Sequence, residues 1–203
     1  MQDLGFYFHM GWDHIMDWEA LDHILFVLAL SAIYLLGNWR QVLVLVTAFT
    51  IGHSLTLALS VYDVIRVKTA WVEFLIPCTI IATAVFNFLQ KDYQPRSLRL
   101  NYFLALFFGM IHGLGFANYL RIMLPTGDGI GWGLFGFNIG LEAGQIVIVV
   151  SILLLSYLAV NVMKLKRKWW VWGVSAIALC VAVKIAWDNW PALYKTFKHQ
   201  STI

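Results

Sequence analysis

Phe137-Asn138-Ile139-Gly140-Leu141-Glu142-Ala143-Gly144-Gln145 lies near the start of an apolar run of thirty residues, Leu134 to Met163, in which Glu142 is the only formal charge. A run this long and this apolar is typical of a membrane span. A carboxylate at the centre of a bilayer costs about 2.5 kcal/mol or more. Glu142 is therefore predicted to have a compensating role.

The same stretch predicts a helix with two different faces. Asn138, Glu142 and Gln145 are spaced i, i+4 and i+7, so they share one face. A separate face carries small residues at four-residue spacing, which are Gly136, Gly140 and Gly144. Small residues let a neighbouring helix approach closely within a membrane. We expect polar side chains to meet one face and a second helix to pack on the other.

The composition of the whole chain favours an all-α integral membrane protein. The 203 residues are 61% hydrophobic and only 12% charged, with a mean hydropathy of +0.74. Helices satisfy their own backbone hydrogen bonds in lipid, and alternating strands of the barrel type are absent from the sequence. The net charge of +3 is small. Its positive residues lie between the apolar runs, so nucleic acid is not an expected partner.

The apolar runs predict a single transmembrane domain over residues 1–203 with six spans. The predicted spans are residues 18–36, 42–62, 69–90, 100–119, 134–163 and 169–187. Residues 2–17 mix aromatic and acidic side chains and are too polar to span, so they predict a short interfacial segment. Lys and Arg are absent before Arg40, and the first, third and fifth loops hold eight basic residues against six on the other side. The positive-inside rule then predicts both termini outside.

Counting residues along these spans predicts that the intramembrane polar side chains share one depth, in the outer half. Such charges pair with one another or coordinate ions. The predicted metal ligands are Asp22, His23, His53, His112 and Glu142. Residues predicted to support them or to line a path are Glu73, Asn138, Gln145 and Ser54.

Histidine and carboxylate ligands together suit divalent transition metals such as nickel, cobalt or zinc. Each residue also has a plainer interpretation. A lone His53 or His112 could be a structural histidine, Asn138 could join two helices, and Glu73 could complement a helix dipole. The joint pattern on five spans favours a metal site over these separate interpretations.

Four segments of the sequence resemble the HupE/UreJ family of bacterial membrane proteins. They are residues 22–26 (DHILF), 49–57 (FTIGHSLTL), 112–117 (HGLGFA) and 137–145 (FNIGLEAGQ), and the resemblance covers about residues 9–160. It implies a small permease-like protein of the bacterial inner membrane, associated with nickel supply to hydrogenase and urease, with cobalt also possible. The family pairs an upstream histidine with an Asp-His, which here implies His14 as a supporting residue beside Asp22 and His23.

Two functions follow as hypotheses. The first is transport of a divalent transition-metal ion, nickel or cobalt, through the histidine and carboxylate site. No nucleotide-binding motif is present in the sequence, so the energy would come from a gradient or from a partner, and a homo-oligomer is left open. The second is a zinc-dependent intramembrane hydrolase that acts on a lipid or peptide, with Glu142 as the general base. A third possibility is that the polar layer only joins helices.

Overall fold

The computed structural model describes residues 4–18, 21–90, 98–123 and 130–200, and these are helices joined by short turns, without a strand among them. Seven α-helices follow one another in these described residues. They are α1 (Leu4–Met16), α2 (Leu21–Ser31), α3 (Trp39–Val61), α4 (Thr69–Leu89), α5 (Leu98–Met123), α6 (Ile130–Tyr157) and α7 (Arg167–Gln200). A 3₁₀ turn at Leu36–Asn38 precedes α3, and a π-helical turn at Leu158–Val162 ends α6.

Among the residues that the structure describes, four helical stretches are long and apolar enough to cross a membrane. They are Leu36–Val61, Thr69–Leu89, Ile130–Val162 and Arg167–Thr196. Leu21–Ser31 and Asn101–Ala117 are shorter apolar helices. The predicted class, an all-α multi-pass membrane protein, is confirmed at this level. Six spans remain a prediction, because a segment of about 20 residues is needed to cross the hydrocarbon core.

The largest difference from the predicted spans lies at the N-terminus. The predicted interfacial segment contains the helix α1 and the predicted span 18–36 contains the shorter helix α2, and the two follow each other along α6. Polarity alone suggested that residues 2–17 stay at the interface. However, Tyr7, Gly11 and Ile15 recur every four residues and form a buried stripe on α1. This stripe gives α1 a packing face that its mean polarity conceals.

The glycine face predicted on α6 is the face that receives α1. A Cβ atom added at Gly140 would lie 2.0 Å from the carbonyl oxygen of Phe8, and one at Gly144 would lie 2.2 Å from Cγ2 of Ile15. Any side chain there would push the two helices apart. The expectation of close packing at this face is therefore confirmed, and the close-packed helix contains His14 near its end.

Helices α3 and α5 approach each other equally closely. A Cβ atom at Gly52 would lie 2.1 Å from the carbonyl oxygen of Leu106, and one at Gly109 would lie 2.1 Å from that of Phe49. The hydroxyl of Thr56 donates across the same contact to the carbonyl oxygen of Met110 at 2.8 Å. This contact sets His53 on α3 beside His112 on α5.

Helix α4 lies antiparallel to α7. The side-chain amide of Asn87 donates to the hydroxyl of Ser175 at 3.1 Å and to the carbonyl oxygen of Ala29 at 2.7 Å. Near the other end of α4, the side-chain amide of Asn189 donates to the carbonyl oxygen of Glu73 at 2.8 Å. Helix α4 thus joins α2 to α7.

The directions of the helices bring particular ends together. Helices α3 and α5 run parallel, and their ends meet where Arg121 lies 3.8 Å from the carboxylate of Asp63. Asp63 also accepts hydrogen bonds from Arg66 in the turn after α3, and this lowers the pKa of its carboxyl group. Helix α6 runs opposite to α3, because Phe137 stacks on His53 while Glu142 contacts Thr47. One end of the bundle therefore holds the ends of α3 and α5 and the start of α6.

Candidate metal centre

Four helices bring five ionisable side chains together in the interior. His14 comes from the end of α1, Asp22 and His23 from the start of α2, His53 from α3 and His112 from α5. His23 is central, because its ring centroid lies 4.7 Å from that of His14, 5.0 Å from that of His112 and 5.9 Å from that of His53. We call these five residues the histidine cluster.

The cluster is buried, and most of its imidazole nitrogens lack partners. His53 and His112 have no exposed surface and His23 is 2% exposed. Five buried nitrogens have no hydrogen-bond partner among the described residues: Nε2 of His14, Nε2 of His23, Nδ1 and Nε2 of His53, and Nδ1 of His112. An unsatisfied buried polar atom costs about 1–3 kcal/mol. Five such atoms at one place are difficult to explain unless they bind something.

Two neighbouring groups orient the rings so that lone pairs face the interior. The carboxylate of Asp22 lies 3.1 Å from Nδ1 of His23 and accepts a hydrogen bond from it, so Nδ1 carries the proton and the lone pair is on Nε2. The hydroxyl of Thr79 donates to the carbonyl oxygen of Ile76 at 2.7 Å, so it accepts from Nε2 of His112 at 3.1 Å. The lone pair of His112 is then on Nδ1. Metal-binding histidines are held in this way by a partner on the opposite nitrogen.

The potential ligand atoms form two overlapping groups. His14, His23 and His53 make one group, and Asp22, His23 and His112 make the other; in each group the atoms all lie within 4.8 Å of one another. Tetrahedral ligands at a metal–nitrogen distance of about 2.1 Å lie about 3.4 Å apart. Small side-chain rotations would therefore close either group around a divalent ion. The shared ligand, His23, makes the two positions adjacent.

Aromatic rings surround the cluster. The ring centroid of Phe49 lies 5.0 Å from that of His112, and the ring centroid of Phe116 lies 3.9 Å from that of His14. Phe26 and Phe137 complete the wall. An apolar wall keeps water away and strengthens the attraction between the ligands and a cation, since the local dielectric constant is low.

Four of the five predicted ligands lie together in the cluster, and the fifth does not. Glu142 on α6 accepts a hydrogen bond from the hydroxyl of Thr47 at 2.7 Å, and its Oε2 atom is buried without a partner in the described part of the chain. Glu142 belongs to neither group of potential ligands. Conversely, His14, predicted to support the site from outside, is one of the three imidazoles in the first group. The ligand roles themselves remain predictions.

The other predicted residues lie around the cluster. Gln145 accepts a hydrogen bond from the hydroxyl of Thr50 at 2.7 Å, and Ser54 donates to the carbonyl oxygen of Thr50 at 2.7 Å. The side-chain amide of Asn138 donates to a backbone carbonyl oxygen of its own helix at 2.8 Å. Glu73 lines a cavity of about 360 Å³ that also reaches Asp22. Within the described part of the chain, none of these side chains is hydrogen-bonded to a histidine of the cluster.

A family model described as "HupE / UreJ protein" matches residues 1–189. The chain belongs to the HupE/UreJ family. The resemblance drawn from four short segments is thus confirmed, and the match extends beyond them into α7. This family is associated with nickel and cobalt transport. No curated protein and no solved structure matches the sequence.

Sequence reasoning missed Thr79 as a residue of the site in this HupE/UreJ protein. A threonine inside an apolar helix usually donates to a carbonyl oxygen one turn earlier in that helix, as Thr79 does to Ile76. The presence of threonine therefore does not indicate a binding site. The contact with His112 depends on how α4 and α5 are rotated against each other. The phenylalanine wall was also missed, because five of the six predicted spans contain phenylalanine and the sequence does not show which of these rings point inward.

We predict that Thr79→Val weakens metal binding about 10-fold or more while the protein folds normally. Valine has the shape of threonine but cannot accept a hydrogen bond from Nε2 of His112. Loss of such an orienting partner typically costs about 10- to 100-fold in affinity. Thr83→Val is the matched control, because Thr83 bonds only to the carbonyl oxygen of Thr79, one turn along the same helix. Equilibrium dialysis against nickel measures both variants. Equal affinities would contradict the orienting role of Thr79.

Proposed function

We propose that this protein carries a divalent transition-metal ion, nickel or cobalt, across a bacterial inner membrane, with both termini on the outer side. The observation that supports this most strongly is the set of five buried imidazole nitrogens, from four helices, that have no hydrogen-bond partner in the described ranges. Imidazole is a good ligand for nickel and cobalt, and a carboxylate beside it adds charge attraction. Membership of the HupE/UreJ family supports the same ions.

The overlap of the two ligand groups suits transport. A transported ion must bind well enough to enter and weakly enough to leave, and adjacent sites make this easier. An ion held by His14, His23 and His53 could move to Asp22, His23 and His112, where it would displace the proton of the hydrogen bond between Asp22 and Nδ1 of His23. Each step would exchange ligands one at a time.

A path beyond the cluster is also part of the proposal. Thr50 and Thr47 lie one and two turns from His53 toward the start of α3, and they contact Gln145 and Glu142. Successive steps of three residues along a helix are about 4.5 Å apart. In this proposal, Gln145 and Glu142 receive the ion after it leaves the cluster. Glu142 supplies the negative charge that a cation needs midway through a membrane.

A zinc-dependent intramembrane hydrolase is the second candidate. Three imidazoles with a nearby carboxylate, at His14, His23, His53 and Asp22, form a ligand set of the kind found at catalytic zinc. This candidate has less support, because Glu142, its expected general base, contacts Thr47 and lies outside the cluster. A catalytic zinc should stay bound through purification at about one ion per chain, whereas a transported ion should exchange readily.

Metal flux into proteoliposomes tests the proposed function. Vesicles that contain the purified protein and an internal metal-sensitive dye are expected to take up nickel or cobalt faster than empty vesicles. The imposed pH gradient and membrane potential are varied in turn to find the energy source. Binding without flux under every gradient would overturn transport by this chain alone and favour the enzyme or a required partner.

We predict that Glu142→Gln retains metal binding but slows transport at least 10-fold. Glutamine keeps the size and the contact with Thr47 but removes the negative charge, and Glu142 is not in the cluster that holds the ion at equilibrium. Equilibrium dialysis and proteoliposome flux are measured on the same preparation. If the variant loses binding together with flux, Glu142 is a direct ligand and the proposed order of sites is wrong.

A further inference from the structure

A cavity of about 870 Å³ opens beside α1 and reaches the histidine cluster at its inner end. His14 lines this cavity, and Nε2 of His14 is buried without a hydrogen-bond partner among the described residues. The cavity is much larger than the one of about 360 Å³ that reaches Asp22 between α2, α4 and α7. One side of the cluster therefore faces a wide, open volume.

The side chains around this cavity have the chemistry that attracts transition-metal cations. His9 and Asp13 lie four residues apart on α1, so they share one helix face, and both are exposed. Asp17 adds a second carboxylate, and Met10 and Met16 add thioether sulfurs. No Lys or Arg lines the cavity within the described chain. Carboxylates attract the cation, and imidazole and thioether sulfur favour softer metals over Mg²⁺ and Ca²⁺.

An aromatic side chain separates the cavity from His53, which lies deeper in the cluster than His14. Phe116 lines the cavity, and its ring centroid lies 3.9 Å from that of His14 and 5.1 Å from that of Phe137. Beyond this pair of stacked rings lies His53. His14 is thus the cluster residue that an ion would meet first from this side.

We propose that the α1 cavity is the entrance for the metal ion, where His9 and Asp13 capture the hydrated cation and deliver it to His14 beside Phe116. This proposal rests on the proposed function and adds the route and the first contacts. An entrance of this kind speeds association by electrostatic attraction and leaves the final affinity unchanged, because it accelerates entry and exit alike.

The test is the rate at which nickel binds to the detergent-purified full-length protein, followed by stopped-flow quenching of tryptophan fluorescence. His9→Ala and Asp13→Asn are expected to lower the association rate constant about 3-fold each and about 10-fold together, within the range known for electrostatic steering. The affinity at equilibrium should stay within about 2-fold of wild type. Asp13→Asn, which removes a negative charge, should also weaken the dependence of the rate on ionic strength, whereas His9→Ala should leave that dependence as in the wild type.

Asp188→Asn is the matched control, since Asp188 is an exposed acid that lines the other cavity. Its association rate is expected to equal that of wild type. Slower association in Asp188→Asn, with normal rates in His9→Ala and Asp13→Asn, would overturn the proposal and move the entrance to the cavity beside Asp22. Unchanged rates in all three variants would also overturn it. Failure of the wild type to bind nickel would instead overturn the proposed function and this inference with it.

Discussion

Replacing His53 with alanine is expected to weaken nickel and cobalt binding by about 100-fold or more. His53 is fully buried and offers two unpartnered nitrogens to the cluster. Removal of a residue that only orients a ligand costs about 10- to 100-fold, so removal of a ligand should cost at least as much. Equilibrium dialysis gives the affinity. Thermal unfolding with and without metal gives an independent readout, because an ion that binds only the folded protein raises its melting temperature.

The stability of the metal-free protein separates a lost ligand from a lost fold. The His53 ring donates and accepts no hydrogen bond among the described residues, so alanine removes packing contacts but no polar partner. We expect His53→Ala to unfold cooperatively in chelator and to show no rise in melting temperature with nickel. His9→Ala is the matched histidine control, because His9 is exposed and outside the cluster, and its equilibrium affinity should be unchanged. Normal nickel binding by His53→Ala would contradict the assignment.

Gly109→Ala is expected to destabilise the fold by about 3 kcal/mol, at the upper end of the usual effect of overpacking. The added methyl group would lie 2.1 Å from the carbonyl oxygen of Phe49, and backbone atoms cannot move aside as a flexible side chain can. Helices α3 and α5 would have to separate, which would move His53 away from His112. Metal binding should therefore weaken together with stability. Thermal unfolding and equilibrium dialysis measure the two effects.

Gly173→Ala provides the comparison for this substitution. Gly173 also lies inside a helix, α7, but a Cβ atom there would meet nothing within 4 Å. Its stability should stay within about 1 kcal/mol of wild type, with a small gain from the higher helix propensity of alanine. If Gly109→Ala and Gly173→Ala behave alike, the close contact between α3 and α5 does not hold the site together.

Hydrophobic runs and small-residue spacing predicted much of the fold. The predicted spans at 42–62 and 69–90 are close to α3 (Trp39–Val61) and α4 (Thr69–Leu89). The glycine face of α6 was predicted together with its close packing. The N-terminal helix α1 was harder to predict, because its sequence is mixed in polarity and it is stabilised by packing on a partner helix. Its packing stripe of Tyr7, Gly11 and Ile15 becomes visible only against that partner.

The depth of each residue along its span predicted most of the candidate site. The sequence does not show how each helix is rotated about its own axis, and that rotation decides where a side chain points. Counting residues put His53, His112 and Glu142 in one layer. The cluster also requires that side chains point toward the same interior point, and Glu142 points instead toward Thr47. His14 shows the opposite case, since its helix was expected at the interface and its ring lies against His23.

The most direct test of the metal centre is X-ray absorption of the purified protein loaded with one equivalent of nickel or cobalt. The spectrum reports the ligand atoms around the ion and distinguishes imidazole rings from water and carboxylate oxygen. We expect at least three imidazole ligands at nitrogen distances near 2.1 Å. Loss of imidazole scattering in His53→Ala should follow. A spectrum with only oxygen ligands, or with the same imidazole count in His53→Ala, would contradict the histidine cluster as the site that holds the ion.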